Sequence, residues 1–160
     1  MFPDDEPTTG SLVWHLATRW RVEVDRAVAP LGLTHAQYSA LASLCVLAER
    51  GECPSQRRLA SYTGLQPIYV SKLVRALEGG GLVARASDPA DARAVRLTLT
   101  ESGSNVVERA MHIVRALDRE LTGSLGGPDS NQTRALCGAL QTLLRQTSEP
   151  EIASETGDHP

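Results

Sequence analysis

The stretch that decides the fold lies at residues 88–103 and reads DPADARAVRLTLTESG. Its first six residues have turn chemistry, because Asp and Pro favour the backbone angles of tight turns. From Val95 to Leu99 apolar and polar side chains alternate, which predicts a half-buried β-strand. A second strand-like segment lies upstream at residues 82–85. The sequence therefore predicts a β-hairpin with a polar tip, followed by a helix that Thr100 can cap.

Two short helical segments lie directly before this hairpin. Ser55 can cap a helix over residues 56–62, and Pro67 suits the first turn of a second helix that ends near residue 78. A tight corner at residues 63–65 joins the two helices, and the glycines at 79–81 stop the second one. Such a pair predicts a helix-turn-helix, whose second helix can lie in the major groove of DNA.

Amphipathic helical patterns flank this unit on both sides. Apolar residues recur at three- and four-residue steps over residues 11–29 and 101–125, and a last helix follows a break at 126–128. Residues 34–37 form a capping box that opens a further helix. The terminal helices are apolar enough to need a partner surface. We therefore expect a homodimer whose two recognition helices lie roughly 34 Å apart, about one turn of DNA.

The predicted fold class is mainly α (α+β), a winged helix-turn-helix with additional N- and C-terminal dimerisation helices. We place the winged helix-turn-helix at about residues 34–100 and the dimerisation helices at about 11–30 and 101–147, so that residues 11–147 form a single domain. An acidic arm at 1–10 and an acidic tail at 148–160 are predicted to be disordered.

The charge distribution points to double-stranded DNA as a partner. The formal net charge is -3, but both terminal segments are acidic. Between Ser55 and Arg96, seven basic residues stand against three acidic ones. A local basic surplus is expected where a protein contacts the phosphate backbone, and a solvated basic surface is the alternative.

The residue types at the predicted interface fit base and phosphate recognition. Gln pairs with adenine, Lys and Arg pair with guanine or phosphate, and apolar side chains contact the thymine methyl group. Arg93 at the hairpin tip can enter the minor groove, while Asp91 holds its guanidinium by a bidentate pair. The alternative for the tip is an exposed salt bridge worth little. The other candidate contacts are Ser55, Gln56, Arg57, Gln66, Pro67, Ile68, Tyr69, Ser71, Lys72 and Arg75.

Residues 88–103 resemble the signature of the multiple-antibiotic-resistance-regulator (MarR) family, a D-P-x-D-x-R stretch that runs into L-x-L-T-x-x-G. Residues 33–38 and 82–85 also resemble the family, and the resemblance covers about residues 11–146. It implies that the first helix and the last two helices of each subunit interlock into a dimer, and that Arg93 is the minor-groove arginine of the wing. It also implies a pseudo-palindromic operator and a repressor that a small ligand releases.

The family's usual inducer pocket lies between the dimer helices and the DNA-binding lobe. Aromatic side chains with a polar tip suit an aromatic acid or a phenol. The alternative is that Trp20 and Tyr38, which lie on apolar stripes, belong to the core. The candidate ligand contacts are Trp14, His15, Trp20, Tyr38 and His112.

A thiol-based redox sensor is a further alternative. Cys45 and Cys137 are predicted to be buried small hydrophobes. Cys53 lies in a turn near Arg50, Arg57 and Arg58, which makes it the candidate low-pKa thiol. The histidines show no tight spacing, so we expect neither a metal nor another cofactor.

The remaining rival is a winged-helix protein-interaction module without specific DNA binding. An enzyme is not expected, because the sequence has no phosphate-binding glycine loop and no nucleophile elbow. No signal peptide and no membrane-length apolar run are present, so we expect a soluble cytoplasmic protein without a membrane partner.

Overall fold

A computed structural model describes residues 6–88, 90–91 and 95–147. The predicted order of four helices, a hairpin and two helices is confirmed. The elements are α1 (Thr9–Val28), α2 (His35–Glu49), α3 (Gln56–Thr63), α4 (Pro67–Gly79), β1 (Val83–Ser87), β2 (Val95–Leu99), α5 (Glu101–Leu121) and α6 (Asn131–Thr147).

Side-chain caps set the starts of the helices where the sequence predicted them. At α2 the Thr34 hydroxyl accepts from the Gln37 N–H at 3.2 Å, and the Gln37 side chain accepts from the Thr34 N–H at 2.9 Å. The Ser55 hydroxyl accepts from the Arg58 N–H at 3.1 Å at the start of α3. The Thr100 hydroxyl accepts from the Gly103 N–H at 3.0 Å at the start of α5. Each cap satisfies a backbone donor that the helix itself leaves unpaired.

Two helix ends differ from the prediction. Helix α1 begins at Thr9, because the Thr8 side chain accepts from the Ser11 N–H at 3.2 Å. Helix therefore replaces the predicted disordered arm at positions 9 and 10. Helix α5 ends at Leu121, four residues before the predicted end, and a 3-10 turn follows at Gly123–Leu125. Residues 1–5 and the tail at 148–160 lie outside the described residues.

The chain divides into two compact units, Met1–Leu117 and Asp118–Pro160. In the first unit α2 is central and contacts α1, α3, α4 and β2. The largest fully buried side chains of this core are Leu41, Leu44, Leu47, Leu59, Leu77, Leu97, Val24, Val28, Val70, Val74 and Val107. In the second unit Thr133 is buried and donates to the Gly127 carbonyl at 2.8 Å, which fixes the turn before α6.

The predicted apolar stripe of α1 is buried only at its C-terminal end. Val24 and Val28 are fully buried, whereas Leu12, Val13 and Leu16 are exposed in the single chain. In the second unit Leu136, Leu143 and Leu144 of α6 are exposed as well. No single helix in the described part of the chain has the length and composition to cross a membrane, although the bent pair at 9–31 and 35–49 passes that test jointly.

The hairpin is attached to the segment that precedes α3. Strands β1 and β2 are antiparallel, with Val83 opposite Leu99 and Ser87 opposite Val95. The Leu97 N–H donates to the Pro54 carbonyl at 2.8 Å, and Ser55 forms a β-bridge with Arg96. The half of β2 that lies nearer the turn is therefore beside the start of the helix-turn-helix.

Candidate nucleic-acid interface

Helices α3 and α4 form the predicted helix-turn-helix. Gly64 ends α3 in the left-handed region at φ 69°, which a glycine adopts without the steric cost of a Cβ. The Thr63 hydroxyl donates to the Leu59 carbonyl at 2.8 Å and closes the last turn of α3. Helix α4 then starts with Pro67 in its first turn. The corner residues at 63–65 therefore set the angle at which α4 leaves α3.

Helix α4 has one buried side and one exposed side. Val70, Leu73, Val74 and Leu77 are buried and fix the helix to the core. Ile68 is 73% exposed and Tyr69 is 44% exposed, although both carry large apolar surfaces. Gln66, Pro67, Lys72 and Arg75 are also exposed, and Ser71 is half-buried. The structure thus brings all seven predicted contacts of this helix together on its outer side and at its N-terminal end.

Two of these polar side chains contact one another. The Arg75 guanidinium donates to the Ser71 hydroxyl at 3.3 Å. The Gln66 side chain makes no capping hydrogen bond to the helix, so its amide is available to another partner. These groups supply donors and acceptors of the kinds that read base edges in the major groove.

The predicted contacts at the start of α3 have different environments. Ser55 is half-buried and its hydroxyl is already used as the N-cap. Gln56 is half-buried, while Arg57 is exposed. Arg58 forms a two-bond pair with Glu52, at 2.9 Å from Nε and 3.2 Å from Nη2. This pair lowers the pKa of the Glu52 carboxyl and raises the pKa of the Arg58 guanidinium.

The basic residues divide into two sets. Arg58, Arg85 and Arg96 each form an ion pair with a carboxylate. Within residues 6–88, 90–91 and 95–147, by contrast, Arg57 and Lys72 form no salt bridge and are exposed. These two cations can therefore meet phosphates without first breaking an internal ion pair.

The tip of the hairpin is only partly described. Asp91 is exposed, whereas Arg93 lies outside the described residues, so the predicted Asp91–Arg93 pair stays a prediction. The structure shows a different pair beside the tip, with Asp88 Oδ2 at 2.7 Å from Arg96 Nη2. The Asp88 carboxylate also accepts from the Ala90 N–H at 2.9 Å. Both interactions lower the pKa of Asp88, the Ala90 N–H more than Arg96.

The sequence reasoning missed the Asp88–Arg96 pair. The two residues stand on opposite sides of the turn, eight positions apart, and that spacing was the available signal. A second ion pair joins the hairpin to the C-terminal end of α4, with Arg85 Nε at 2.9 Å from Glu78 Oε2.

The five predicted ligand contacts do not share one site. Trp14 is 64% exposed and packs edge-on against His15, with ring centroids 4.9 Å apart. Trp20 and Tyr38 are partly buried against the core, and His112 is exposed. Burial raises the pKa of the Tyr38 hydroxyl.

A cleft of about 540 Å³ lies within the first unit, between α1, the start of α2, the helix-turn-helix corner and α4. None of the five predicted ligand contacts lines it. In this cleft the Asp25 carboxylate accepts from the His35 N–H at 2.6 Å, and Arg21 lies 3.9 Å from the same carboxylate. Burial lowers the pKa of His35 more than the Asp25 charge raises it. The lining residues are Arg21, Asp25, Thr34, His35, Ala36, Ser39, Thr63, Leu65 and Tyr69.

The three cysteines are free thiols. Cys53 is exposed, and the neighbouring Arg58 is already paired with Glu52. Cys45 is half-buried, and burial followed by the nearby Glu49 raises the pKa of its thiol. Cys137 is exposed in the single chain, so its predicted burial is wrong for this chain alone. Among the residues that the structure describes, no three His, Cys, Asp or Glu side chains are grouped to hold a metal ion.

Comparisons with known proteins agree with this geometry. The MarR family model matches residues 31–94. Over 118 residues the chain is 36% identical to the helix-turn-helix transcriptional regulator YdcH of Bacillus subtilis (strain 168), covering 74% of this chain and 80% of YdcH. The chain belongs to the MarR family. It is therefore a DNA-binding transcriptional regulator with a winged helix-turn-helix, and the predicted fold class is confirmed.

Two further relatives of known type are similar to this chain over most of its length. This MarR-family chain is 30% identical to the helix-turn-helix transcriptional repressor Rv2887 of Mycobacterium tuberculosis (strain H37Rv), over 86% of the chain and 95% of the relative. It is also 30% identical to CouR from Rhodococcus jostii RHA1 in a crystal structure bound to p-coumaroyl-CoA. That likeness covers 88% of this chain and 92% of CouR, with a TM-score of 0.72. CouR, a transcriptional repressor, has also been solved on a 23-mer DNA duplex, with a TM-score of 0.69 to this chain.

Proposed function

We propose that this MarR-family regulator binds a pseudo-palindromic operator as a homodimer in the cytoplasm, represses transcription there, and is released by an aromatic carboxylate or its thioester. The observation that carries the proposal is the exposed face of α4. A folded chain has no internal reason to leave Ile68 and Tyr69 in water, but a helix that enters the major groove does.

The proposed DNA contacts follow from exposure and free hydrogen-bonding groups. Gln66, Ile68 and Tyr69 at the start of α4 are assigned to base edges, because the first residues of a recognition helix are the ones that reach them. Lys72 and Arg57 are assigned to phosphates, since both are exposed cations. Ser55 and Gln56 are assigned only backbone-positioning roles, because the Ser55 hydroxyl already caps α3. The remaining assigned contacts are Pro67, Ser71, Arg75, Asp91 and Arg93, with Arg93 in the minor groove.

The homodimer is supported by apolar surface at both ends of the chain. Leu12, Val13 and Leu16 of α1 are exposed in the single chain, as are Leu136 and Leu144 of α6. Several exposed apolar side chains on one helix are the kind of surface that marks an interaction site. We therefore assign residues 11–30 and 101–147 to dimerisation and residues 34–100 to DNA binding.

Repression and ligand release are supported by the relatives. Rv2887 is a transcriptional repressor, and the repressor CouR is known with both DNA and p-coumaroyl-CoA. An aromatic acyl group needs an apolar cleft with a few polar groups, and the cleft beside α4 offers Arg21 and His35 beside Ala36 and Leu65. Tyr69 lines this cleft and also lies on the exposed side of α4. A ligand in the cleft would therefore compete with DNA for the position of the same side chain.

The interaction-module alternative makes a distinct prediction, because it gives Lys72 and Arg93 no role on DNA. The thiol-sensor alternative has less support, since Arg58, one of the basic residues near the exposed Cys53, is held by Glu52.

The DNA-binding proposal is tested by fluorescence anisotropy on duplex DNA from beside the protein's own gene, or selected from a random library, across a salt series. Wild type should prefer its site over random duplex by at least about a thousandfold. Lys72→Ala should weaken binding to all duplexes alike. It should also reduce the slope of log affinity against log salt concentration by about 1, because one phosphate contact is lost. Arg93→Ala should also weaken binding to the site.

The matched control is Arg26→Ala, which removes an exposed arginine of α1 that is paired with Glu23 at 3.2 Å. It should bind like wild type. The operator proposal is refuted if wild type prefers no site over random DNA and neither Lys72→Ala nor Arg93→Ala changes binding. That result would favour the interaction-module alternative.

The ligand-binding step of this proposal is tested by calorimetry with p-coumarate and p-coumaroyl-CoA. Arg21→Gln should weaken binding of the better ligand about tenfold or more, because a charged hydrogen bond contributes about 1.5–3 kcal/mol. Arg19→Gln is the control, since Arg19 is exposed on α1 and does not line the cleft. If Arg21→Gln and Arg19→Gln bind the ligand equally well, the ligand does not bind in this cleft. If wild type binds neither compound, this ligand class is excluded.

A further inference from the structure

Arg96, beside the hairpin tip, makes two side-chain contacts and one backbone contact with other segments. Arg96 Nη2 lies 2.7 Å from Asp88 Oδ2, on the other side of the hairpin turn. Arg96 Nη1 donates to the Cys53 carbonyl at 3.3 Å, forty-three positions away in sequence. The backbone of Arg96 also forms a β-bridge with Ser55.

The Asp88 end of this network is fixed as well. The Asp88 side chain is only 14% exposed, although it is a carboxylate on a hairpin. Its second oxygen accepts from the Ala90 N–H at 2.9 Å, which forms a turn at the start of the tip. One carboxylate therefore holds both the guanidinium of Arg96 and the backbone of the tip.

We propose that Asp88, Arg96 and the Cys53 carbonyl form a clasp that positions the wing against the start of α3, so that the wing arginine and the recognition helix reach DNA in one geometry. Asp88 and Arg96 are positioning residues in this proposal, and neither needs to contact DNA. The inference rests on the proposed DNA-binding function, because a fixed wing has a purpose only if its tip meets the minor groove.

The contacts of the clasp restrict the direction in which the hairpin extends from the rest of the domain. A two-stranded hairpin is marginally stable by itself in water, so its direction depends on what it is attached to. One attachment point is the segment of Cys53, Pro54 and Ser55, where Ser55 is the N-cap of α3, and another is the Arg85–Glu78 pair to α4. A tilt of the wing away from the start of α3 would strain the Arg96 contacts and the Leu97–Pro54 hydrogen bond.

The ion pair is partly buried, with the Arg96 side chain 39% exposed and the Asp88 side chain 14% exposed. Arg96 Nε is buried without a hydrogen-bond partner among the described residues, so the guanidinium depends on Asp88 and the Cys53 carbonyl for compensation. Removing the carboxylate charge leaves a partly buried cation with fewer partners, which destabilises the wing position in which Arg96 also contacts the Cys53 carbonyl.

The test compares Asp88→Asn with Glu78→Gln. Glu78 pairs with Arg85 at 2.9 Å and joins the hairpin to α4, and Arg85, like Arg96, has buried guanidinium nitrogens without a hydrogen-bond partner among the described residues. It is therefore an ion pair of comparable burial on the same hairpin, outside the clasp. On the preferred duplex, Asp88→Asn should weaken binding about tenfold, and Glu78→Gln by less than about twofold. Hydroxyl-radical footprinting of the Asp88→Asn complex should lose protection in the minor groove at the wing, while guanine N7 protection in the major groove is retained. Asp88→Glu should restore part of the minor-groove protection.

Amide exchange on the free protein keeps this proposal separate from the DNA-binding one. The Leu97 N–H, which bonds to Pro54, should exchange several-fold faster in Asp88→Asn than in wild type or Glu78→Gln. Unchanged Leu97 exchange overturns the clasp, whether or not the protein binds DNA. Faster exchange with no selective DNA binding by wild type supports the clasp as a structural contact and refutes its proposed purpose. Equal loss of both footprints also overturns it, since that result indicates general unfolding.

Discussion

Replacing Gly103 with Ala tests why a glycine follows the wing. Gly103 is buried in the first turn of α5, and a Cβ built on it would lie 1.9 Å from the Leu82 carbonyl oxygen and 2.9 Å from the carbonyl carbon. Ordinary contacts of a Cβ begin at 3.4 Å. The obstacle is backbone, so no change of side-chain rotamer can relieve the clash. Helix α5 and the start of β1 must therefore move apart.

The expected cost can be estimated from three effects. Forcing an extra methyl group into a packed site costs about 1–3 kcal/mol. The same Leu82 carbonyl accepts from the Thr100 N–H at 3.1 Å, and losing that hydrogen bond costs about 1 kcal/mol. The higher helix propensity of Ala offsets this by stabilising the helix by about 1 kcal/mol. We therefore expect Gly103→Ala to lower the free energy of unfolding by about 1–3 kcal/mol.

The assay is urea unfolding followed by circular dichroism, at one protomer concentration for all variants because a dimer's stability depends on it. Gly79→Ala is the matched control. Gly79 is the last residue of α4 and a Cβ there meets nothing within 4 Å. It should leave stability unchanged or raise it by up to about 1 kcal/mol. If Gly103→Ala is as stable as Gly79→Ala, the close approach of α5 to Leu82 is wrong.

Three further predictions follow from the core, a cap and a buried histidine. Leu59→Ala should lower the free energy of unfolding by about 2–5 kcal/mol, because Leu59 is fully buried, and a urea titration without DNA in which it matched the exposed control Ile68→Ala would contradict the packing. Thr100→Ala should cost about 1–2 kcal/mol, since it removes the α5 cap and the bond to the Gly81 carbonyl at 2.6 Å; Thr100→Ser, which keeps both groups, should recover most of it in the same assay. Burial lowers the pKa of His35, so the unfolded chain takes up a proton first as the pH falls below its ordinary value of about 6.5, and stability should decrease there. His35→Gln should therefore lose less stability than wild type between pH 7.5 and 5.5, and an equal loss would refute the burial of that ring.

Local sequence determined the order of the elements and most of their starts. Thr34, Ser55 and Thr100 cap their helices because a side-chain cap involves backbone only three residues away, which the sequence displays directly. The glycine corner, the alternating strand and the motif at 88–103 are likewise short-range patterns. They sufficed to predict a winged helix-turn-helix, the outward residues of α4 and membership of the MarR family.

Tertiary structure decided which apolar and polar groups meet. Periodicity placed Leu12 and Val24 on one stripe, yet only Val24 is buried in the single chain, because periodicity shows which side is apolar and not what covers it. It likewise could not foresee that Cys137 would be exposed, or that the cleft beside α4 would be lined by Arg21 and His35 instead of the predicted aromatic residues.

The contacts with the greatest sequence separation were the least accessible to sequence reasoning. Arg96 reaches the Cys53 carbonyl, and a Cβ at Gly103 would strike Leu82, only because packing brings distant backbone segments together. The family motif displayed the glycine and both charged residues, but not their purposes. Sequence thus determined the type of regulator, through local backbone preferences and side-chain patterns. Only the folded chain determined how its wing is held, since that depends on distances between residues that no local pattern specifies.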